Sequence, residues 1–297
     1  MLTRGEGTAT LALATACAVI VPLGISIAID EAPRLLRRAV IVFVPISVAA
    51  TVIAWRWPVG STPAIAAAVV HAITCALAGL VGLTRLWSRR ADRFAPLHAI
   101  AMDVGLLLVP VGGVWLLASR AALPLGGFHE PVVTFTAAHF HFAGLAAPMI
   151  IGGAGRLVDP AQPLLRRYAT VVVCAGVPLT AIGIATNHTV ERIAAVILAT
   201  GMLAASAMLI AFASRRAWAR APIASVLFVV SGASLLLTMA LAATFALTSS
   251  AGRDSSLAGA IPLQTMIDLH GGGNAFGFAL SGLVALALLD AKRAGGP

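Results

Sequence analysis

Charge is what this chain has least of. Of its 297 residues only 10% are Asp, Glu, Lys or Arg, and just 11 are acidic. Soluble domains carry about 25% charged residues, so an ordinary water-soluble enzyme is excluded. A disordered chain is excluded too, because disorder needs high charge and low hydrophobicity. Cysteine is nearly absent. Cys17, Cys75 and Cys174 are odd in number, lie inside apolar runs and form no CxxC pair, so neither a disulfide framework nor a redox motif is present. All three read as small core residues. There is no hydrophilic stretch long enough for a separate soluble domain, and no visible internal repeat of the kind that builds many transporters.

What is there is hydrophobic. Apolar residues make up 60% of the chain, and the mean hydropathy is +0.98. Nine apolar runs stand out, at 8–29, 37–55, 63–86, 95–118, 131–152, 168–186, 192–214, 223–247 and 263–289. A helix needs about 20 apolar residues to cross a bilayer. Barrel strands alternate apolar and polar residues, whereas these runs are continuous. The expectation is an all-α, polytopic transmembrane helix bundle, with residues 1–297 as a single transmembrane domain. The first run reads as a retained helix, being longer than the apolar part of a signal peptide and lacking a clear cleavage site. Gly273 and Gly277 have the GxxxG spacing of close helix packing.

The net charge of +9 would suggest nucleic acid in a soluble protein, but basic loops orient membrane proteins. Of the 20 basic residues, only Arg4, Arg56, Arg120, Arg192 and Arg253 fall on one side of a nine-span topology. The other 15 fall in the odd-numbered loops and the C-terminal segment. The positive-inside rule then places the N-terminus outside and the C-terminus in the cytoplasm.

Ionisable residues inside a span cost about 2.5–3.5 kcal/mol each, so the deep ones are candidates for function. Counting from the ends of the runs puts His139 and His141 near mid-membrane, and Asp268 and His270 one to two turns below the outer surface. Asn274 lies deeper, His71 at a similar depth, Glu130 at the outer surface, and Asp103 two turns in from the cytoplasmic side. His71, Glu130, His139, His141, Asp268 and His270 can therefore share one layer. Positions i and i+2 on a helix point about 200° apart. One of His139 and His141 thus faces a cavity and the other a neighbouring helix, and the same holds for Asp268 and His270. Gly271, Gly272 and Gly273 loosen the last helix. The bland alternative is a satisfied packing histidine, which fits His71 best; His129 and His188 read as interfacial or solvated.

The string Ala138-His139-Phe140-His141 followed by Phe142 resembles a segment of haem–copper oxidase subunit I. In that family the two histidines ligate two haems on opposite faces of one helix. The resemblance stops there, since the copper-binding His-His pair is absent and nine spans are fewer than twelve. A wider resemblance, through His139-Phe140-His141-Phe142-Ala143-Gly144 and Asp268-Leu269-His270-Gly271-Gly272-Gly273-Asn274, is to the YndJ-like family of bacterial multipass membrane proteins. It implies the topology and the importance of these histidines, and carries no activity.

Other motifs are missing. There is no P-loop and no HExxH, for His129-Glu130-Pro131 does not continue to a second histidine. Seven histidines are too few for a clustered-histidine di-iron oxygenase. The leading expectation is an intramembrane enzyme acting on a small lipophilic substrate, an isomerase or cyclase working by acid–base or metal-assisted chemistry. Asp268 or Glu130 would be the acid, His139 or His270 the base, and Asn274 would orient a substrate oxygen. Phe135, Phe140, Phe142 and Asp103 would line the substrate. His139, His141, His270 and His71 are the metal candidates. The alternatives are a haem or copper redox protein using those histidines, and a proton-coupled transporter. The cofactor is a metal ion, a haem or none. The expected partners are a lipophilic small molecule and membrane lipid, with no nucleic acid; oligomeric state is open.

Overall fold

The structure is a computed structural model that describes residues 4–92, 96–157, 163–213, 221–249 and 261–294. Among these, 91% are helical and none forms a strand. Among the described residues, nine helices are long and apolar enough to cross a membrane: α1 (Gly7–Glu31), α2 (Arg34–Arg56), α3 (Thr62–Ala91), α4 (Leu97–Arg120), α5 (Val132–Arg156), α6 (Leu164–Thr186), α7 (Thr189–Phe212), α8 (Pro222–Phe245) and α9 (Leu263–Ala291). Each corresponds to one apolar run, in order. Arg93, Arg215, Arg216, Arg220 and Arg253, which enter the loop-charge argument, lie outside the described residues, as do the side chains of Arg4, His188, Lys292 and Arg293.

The helix ends follow local chemistry. Pro33 and Pro96 precede α2 and α4, where a missing N–H leaves no helical bond unmade. The Asn187 side chain accepts from the amides of Thr189 and Val190 at 2.8 and 3.3 Å, capping α7 after the short break from α6. Three helices carry π-helical turns: Ala16–Ile20 in α1, Phe140–Ala146 in α5, and Met266–Gly271 with Gly273–Leu280 in α9. Such turns insert a residue into the helical repeat and re-aim the side chains beyond it.

The helices gather into two compact units, residues 11–156 and residues 1–10 with 157–297. In the first, α5 is the most enclosed of the nine spans. Its neighbour α4 packs tightly on α3. A Cβ at Gly82 would stand 2.5 Å from the Asp103 carbonyl oxygen and 2.8 Å from the Leu107 nitrogen, so only glycine permits this approach. Arg85, one of the 15 basic residues assigned from the sequence to the odd-numbered loops and the C-terminal segment, lies within α3, because the helix continues to Ala91. Its side chain is 3% exposed and meets Asp103, 0% exposed, through Nε at 2.5 Å. Arg89 Nε holds the other Asp103 oxygen at 2.7 Å. Both guanidiniums also reach the end of α1: Arg85 donates to the Ala28 carbonyl, and Arg89 pairs with Glu31. Arg85 Nη2 lies 3.1 Å from Glu31 without hydrogen-bond alignment.

In the second unit, Ser206 donates to the Gly232 carbonyl at 2.6 Å, tying α7 to α8. Ser231 donates to the Phe278 carbonyl at 2.9 Å, tying α8 to α9. Both serines are buried, and each bond satisfies a backbone acceptor in a place where water is absent.

Candidate metal centre

His71 and Cys75 are four residues apart on α3 and so share one helical face. The Cys75 sulfur lies 3.3 Å from His71 Nε2. On α5 the π-helical turn begins at Phe140 and carries His141 inward, where it is fully buried. His71 Nε2 and His141 Nε2 face each other at 3.0 Å, with the rings stacked at a centroid distance of 5.2 Å. Cys17, in the π-helical turn of α1, completes the group: its sulfur and one ring nitrogen of each histidine lie within 4.8 Å of one another.

The outer nitrogens of the two rings are held from behind. His141 Nδ1 donates to the Ala137 carbonyl at 2.7 Å, and His71 Nδ1 is 2.9 Å from the Ser47 hydroxyl on α2. The two Nε2 atoms, which face each other, are thus the ones left to ligate together with the sulfur. Two nitrogens bound to one metal at about 2.0–2.1 Å stand about 2.9–3.4 Å apart for angles from 90° to tetrahedral, which brackets the 3.0 Å seen. An outer ring nitrogen bonded to a carbonyl or hydroxyl is the arrangement that orients a metal-ligating histidine.

The surroundings are apolar and tight. Leu13, Leu116 and Ala137 pack with Cys17, and Trp55, Trp115 and Ala138 pack against that cluster. Gly112 makes room for His141, since a Cβ there would lie 2.7 Å from Nδ1. Gly113 does the same for Cys75, at 2.9 Å from its Cβ. A haem does not fit between these histidines. Its axial nitrogens must lie on opposite sides of a macrocycle, and stacked rings with nitrogens 3.0 Å apart leave no space for one.

The remaining sequence candidates are placed elsewhere. His139 is half-buried, stands edge-on to Phe140 and is not one of the converging ligands. Phe140 and Phe142 are buried on the π-helical turn, and Phe135 is half-buried. Glu130 is exposed and accepts from the Thr134 amide at 3.1 Å, capping the start of α5. Both oxygens of Asp103, expected at a substrate, are taken by Arg85 and Arg89.

In the second unit, His270 Nδ1 donates to the Thr238 carbonyl at 3.0 Å, and the Asn274 amide donates to His270 Nε2 at 3.2 Å. The Thr238 hydroxyl donates to Asn274 Oδ1 at 2.8 Å, closing a ring of three bonds. Asp268 accepts from Thr8 and from Gln264, each at 2.7 Å. These groups satisfy one another within the unit.

Cys17, Cys75, Ser47 and Gly112 are the members that sequence reasoning missed. One signal was available, the His71–Cys75 spacing, which puts two metal-ligand side chains on one helical face.

An all-helical bundle with nine membrane-length spans and a buried Cys/His/His group defines the class, a polytopic membrane protein. Within that class the chain belongs to the YndJ-like protein family, whose model matches residues 11–278. It is similar to the uncharacterized membrane protein YndJ of Bacillus subtilis (strain 168), at 28% identity over 213 residues. That match covers 72% of this chain and 36% of the relative, so the chain spans about a third of the length of the curated relative it matches. No solved structure matches the chain.

Proposed function

We propose that residues 11–156 form an intramembrane copper centre, with Cys17 Sγ, His71 Nε2 and His141 Nε2 as ligands, and that its role is one-electron transfer. The observation that carries this reading is the convergence of two Nε2 atoms, 3.0 Å apart, with one buried thiol. Two imidazoles and a thiolate are the donor set of copper electron-transfer sites. Copper(I) with one thiolate is neutral overall, which lowers the penalty for placing a metal inside a bilayer. The buried donors, from three different helices, also match a closed site better than one that keeps a position open for substrate.

A second reading has one supporting observation. Cys75 Sγ lies 3.3 Å from His71 Nε2. With both thiolates the set becomes two cysteines and two histidines, which is neutral with zinc(II) and is typical of structural zinc. The acid–base isomerase or cyclase reading draws on Asp268, His270, Asn274, Glu130 and His139. The first three bond to neighbours in their own unit, and Glu130 caps a helix. The topology proposed with this function keeps the N-terminus outside and the C-terminus cytoplasmic.

The test is metal loading of the detergent-purified protein. The copper reading predicts one equivalent of copper, an intense thiolate-to-copper(II) charge-transfer band after oxidation, and loss of both in Cys17→Ser. The zinc reading predicts one equivalent of zinc, no visible band and an equal requirement for Cys75.

A further inference from the structure

The hydrogen bonds around His71 and His141 fix where their protons sit. Ala137 offers a carbonyl, which only accepts, so the His141 Nδ1 lying 2.7 Å from it carries a proton. A neutral His141 then has a bare Nε2, so His71 Nε2 carries the proton that bridges the 3.0 Å between them, and the Cys75 sulfur 3.3 Å from that nitrogen is on the accepting side. His71 Nδ1 is bare in turn and accepts the hydroxyl proton of Ser47 at 2.9 Å. The bonds run in one direction: Ser47 to His71, His71 to His141, His141 to the Ala137 carbonyl.

Two ligating Nε2 atoms would require one reversal in that chain. His141 already has its proton on Nδ1. His71 has its proton on Nε2, the atom that would meet the metal. For His71 to ligate, the proton must be on Nδ1, facing Ser47, and the hydroxyl must accept where it now donates. Among side chains of this size a hydroxyl can serve in either role. Ser47 is 2% exposed, so water cannot substitute for it. After the reversal its own proton has an acceptor in the carbonyl one turn back at Phe43, the usual partner of a helical serine. That carbonyl already faces inward, because the Thr74 hydroxyl donates to it at 3.4 Å.

We propose that Ser47 is the positioning residue of this centre, and that its hydroxyl switches from donor to acceptor when His71 changes tautomer to ligate a metal. The inference rests on the metal reading above. The net proton balance closes: the one proton of neutral His71 moves from Nε2 to Nδ1, while Ser47 keeps its single hydroxyl proton, turned from His71 Nδ1 to the Phe43 carbonyl. The only proton released is the Cys17 thiol proton displaced by copper(I).

The experiment is 15N NMR of histidine-labelled protein, metal-free and loaded with copper(I), together with copper(I) affinity by chelator competition for wild type, Ser47→Ala and Ser47→Thr. The proposal predicts a His71 proton on Nε2 without metal and on Nδ1 with copper(I), while the His141 proton stays on Nδ1. Ser47→Ala should weaken copper binding about 10- to 100-fold, the usual effect of losing such a partner, and Ser47→Thr should restore it. Circular dichroism melts of all three proteins separate this effect from misfolding. If the wild type binds copper through Cys17 while His71 keeps one tautomer, or Ser47→Ala binds as the wild type does, the Ser47 proposal is overturned and the metal centre stands. If the folded wild type takes up no copper(I), the metal reading and this inference fall together.

Discussion

His71 and His141 are 70 positions apart and meet Nε2 to Nε2 at 3.0 Å, with their rings 27° from parallel. The contact depends on the π-helical turn Phe140–Ala146, which changes the aim of α5 at that point. It depends equally on Gly112, which leaves the His141 ring its space on α4. Two bonds from behind, from Ser47 and to Ala137, hold both rings in place.

Gly112 is therefore the substitution most revealing of this packing. Gly112→Ala puts a Cβ 2.7 Å from His141 Nδ1 and 2.9 Å from Cε1. The ring cannot retreat without leaving Ala137. Overpacking of this kind costs about 1–3 kcal/mol, and copper retention should fall with it. Gly271→Ala is the control, since a Cβ there meets nothing within 4 Å. Thermal melts and copper content measured on both variants check the pair.

The two thiols separate the candidate metals. Under the copper reading, Cys17→Ser abolishes loading and Cys75→Ser leaves one equivalent bound. Metal analysis of the two folded variants decides the point, and equal loss in both would transfer the assignment to zinc.

Asp103 should matter for stability rather than for a ligand. Asp103→Asn leaves the buried Arg85 without its main partner, and breaking a buried pair from one side costs about 3–5 kcal/mol. Combining Asp103→Leu with Arg85→Met removes both charges and should recover much of that loss. Denaturant unfolding in detergent measures each; a single variant as stable as the double would contradict the pairing argument.

Asn274→Ala opens the ring formed with Thr238 and His270. It leaves His270 Nε2 unmatched, at about 1–3 kcal/mol for a buried group, while the Thr238 hydroxyl keeps the Leu235 carbonyl at 3.3 Å. No proposed ligand belongs to this ring, so copper stoichiometry should be unchanged. Melting and metal analysis of one preparation test both halves.

The nine spans were legible because each is a continuous apolar run of membrane length, and the structure keeps their order. The helix ends were less so. Arg85 reads as a loop charge because it sits at the very edge of the apolar run 63–86, but α3 continues to Ala91, and Asp103 supplies the charge that lets Arg85 be buried. The histidines were legible as costly residues in apolar spans. Which of His139 and His141 turns inward was not, because a spacing of two gives opposite faces without saying which is inner, and a π-helical turn has no apolar period to reveal it. Cys17 and Cys75 were read as core because a buried thiol and a buried ligand look alike in an apolar run. Asp268 and His270 looked available for catalysis because sequence does not show that Thr8, Gln264, Thr238 and Asn274 reach them.

Metal analysis with an oxidised-state absorption spectrum on the purified, copper-loaded protein tests the central claim most directly. The account predicts one equivalent of copper with a thiolate charge-transfer band in the wild type, and neither in folded Cys17→Ser or His141→Ala. A folded wild type without bound copper, or variants that bind it as the wild type does, would contradict the account.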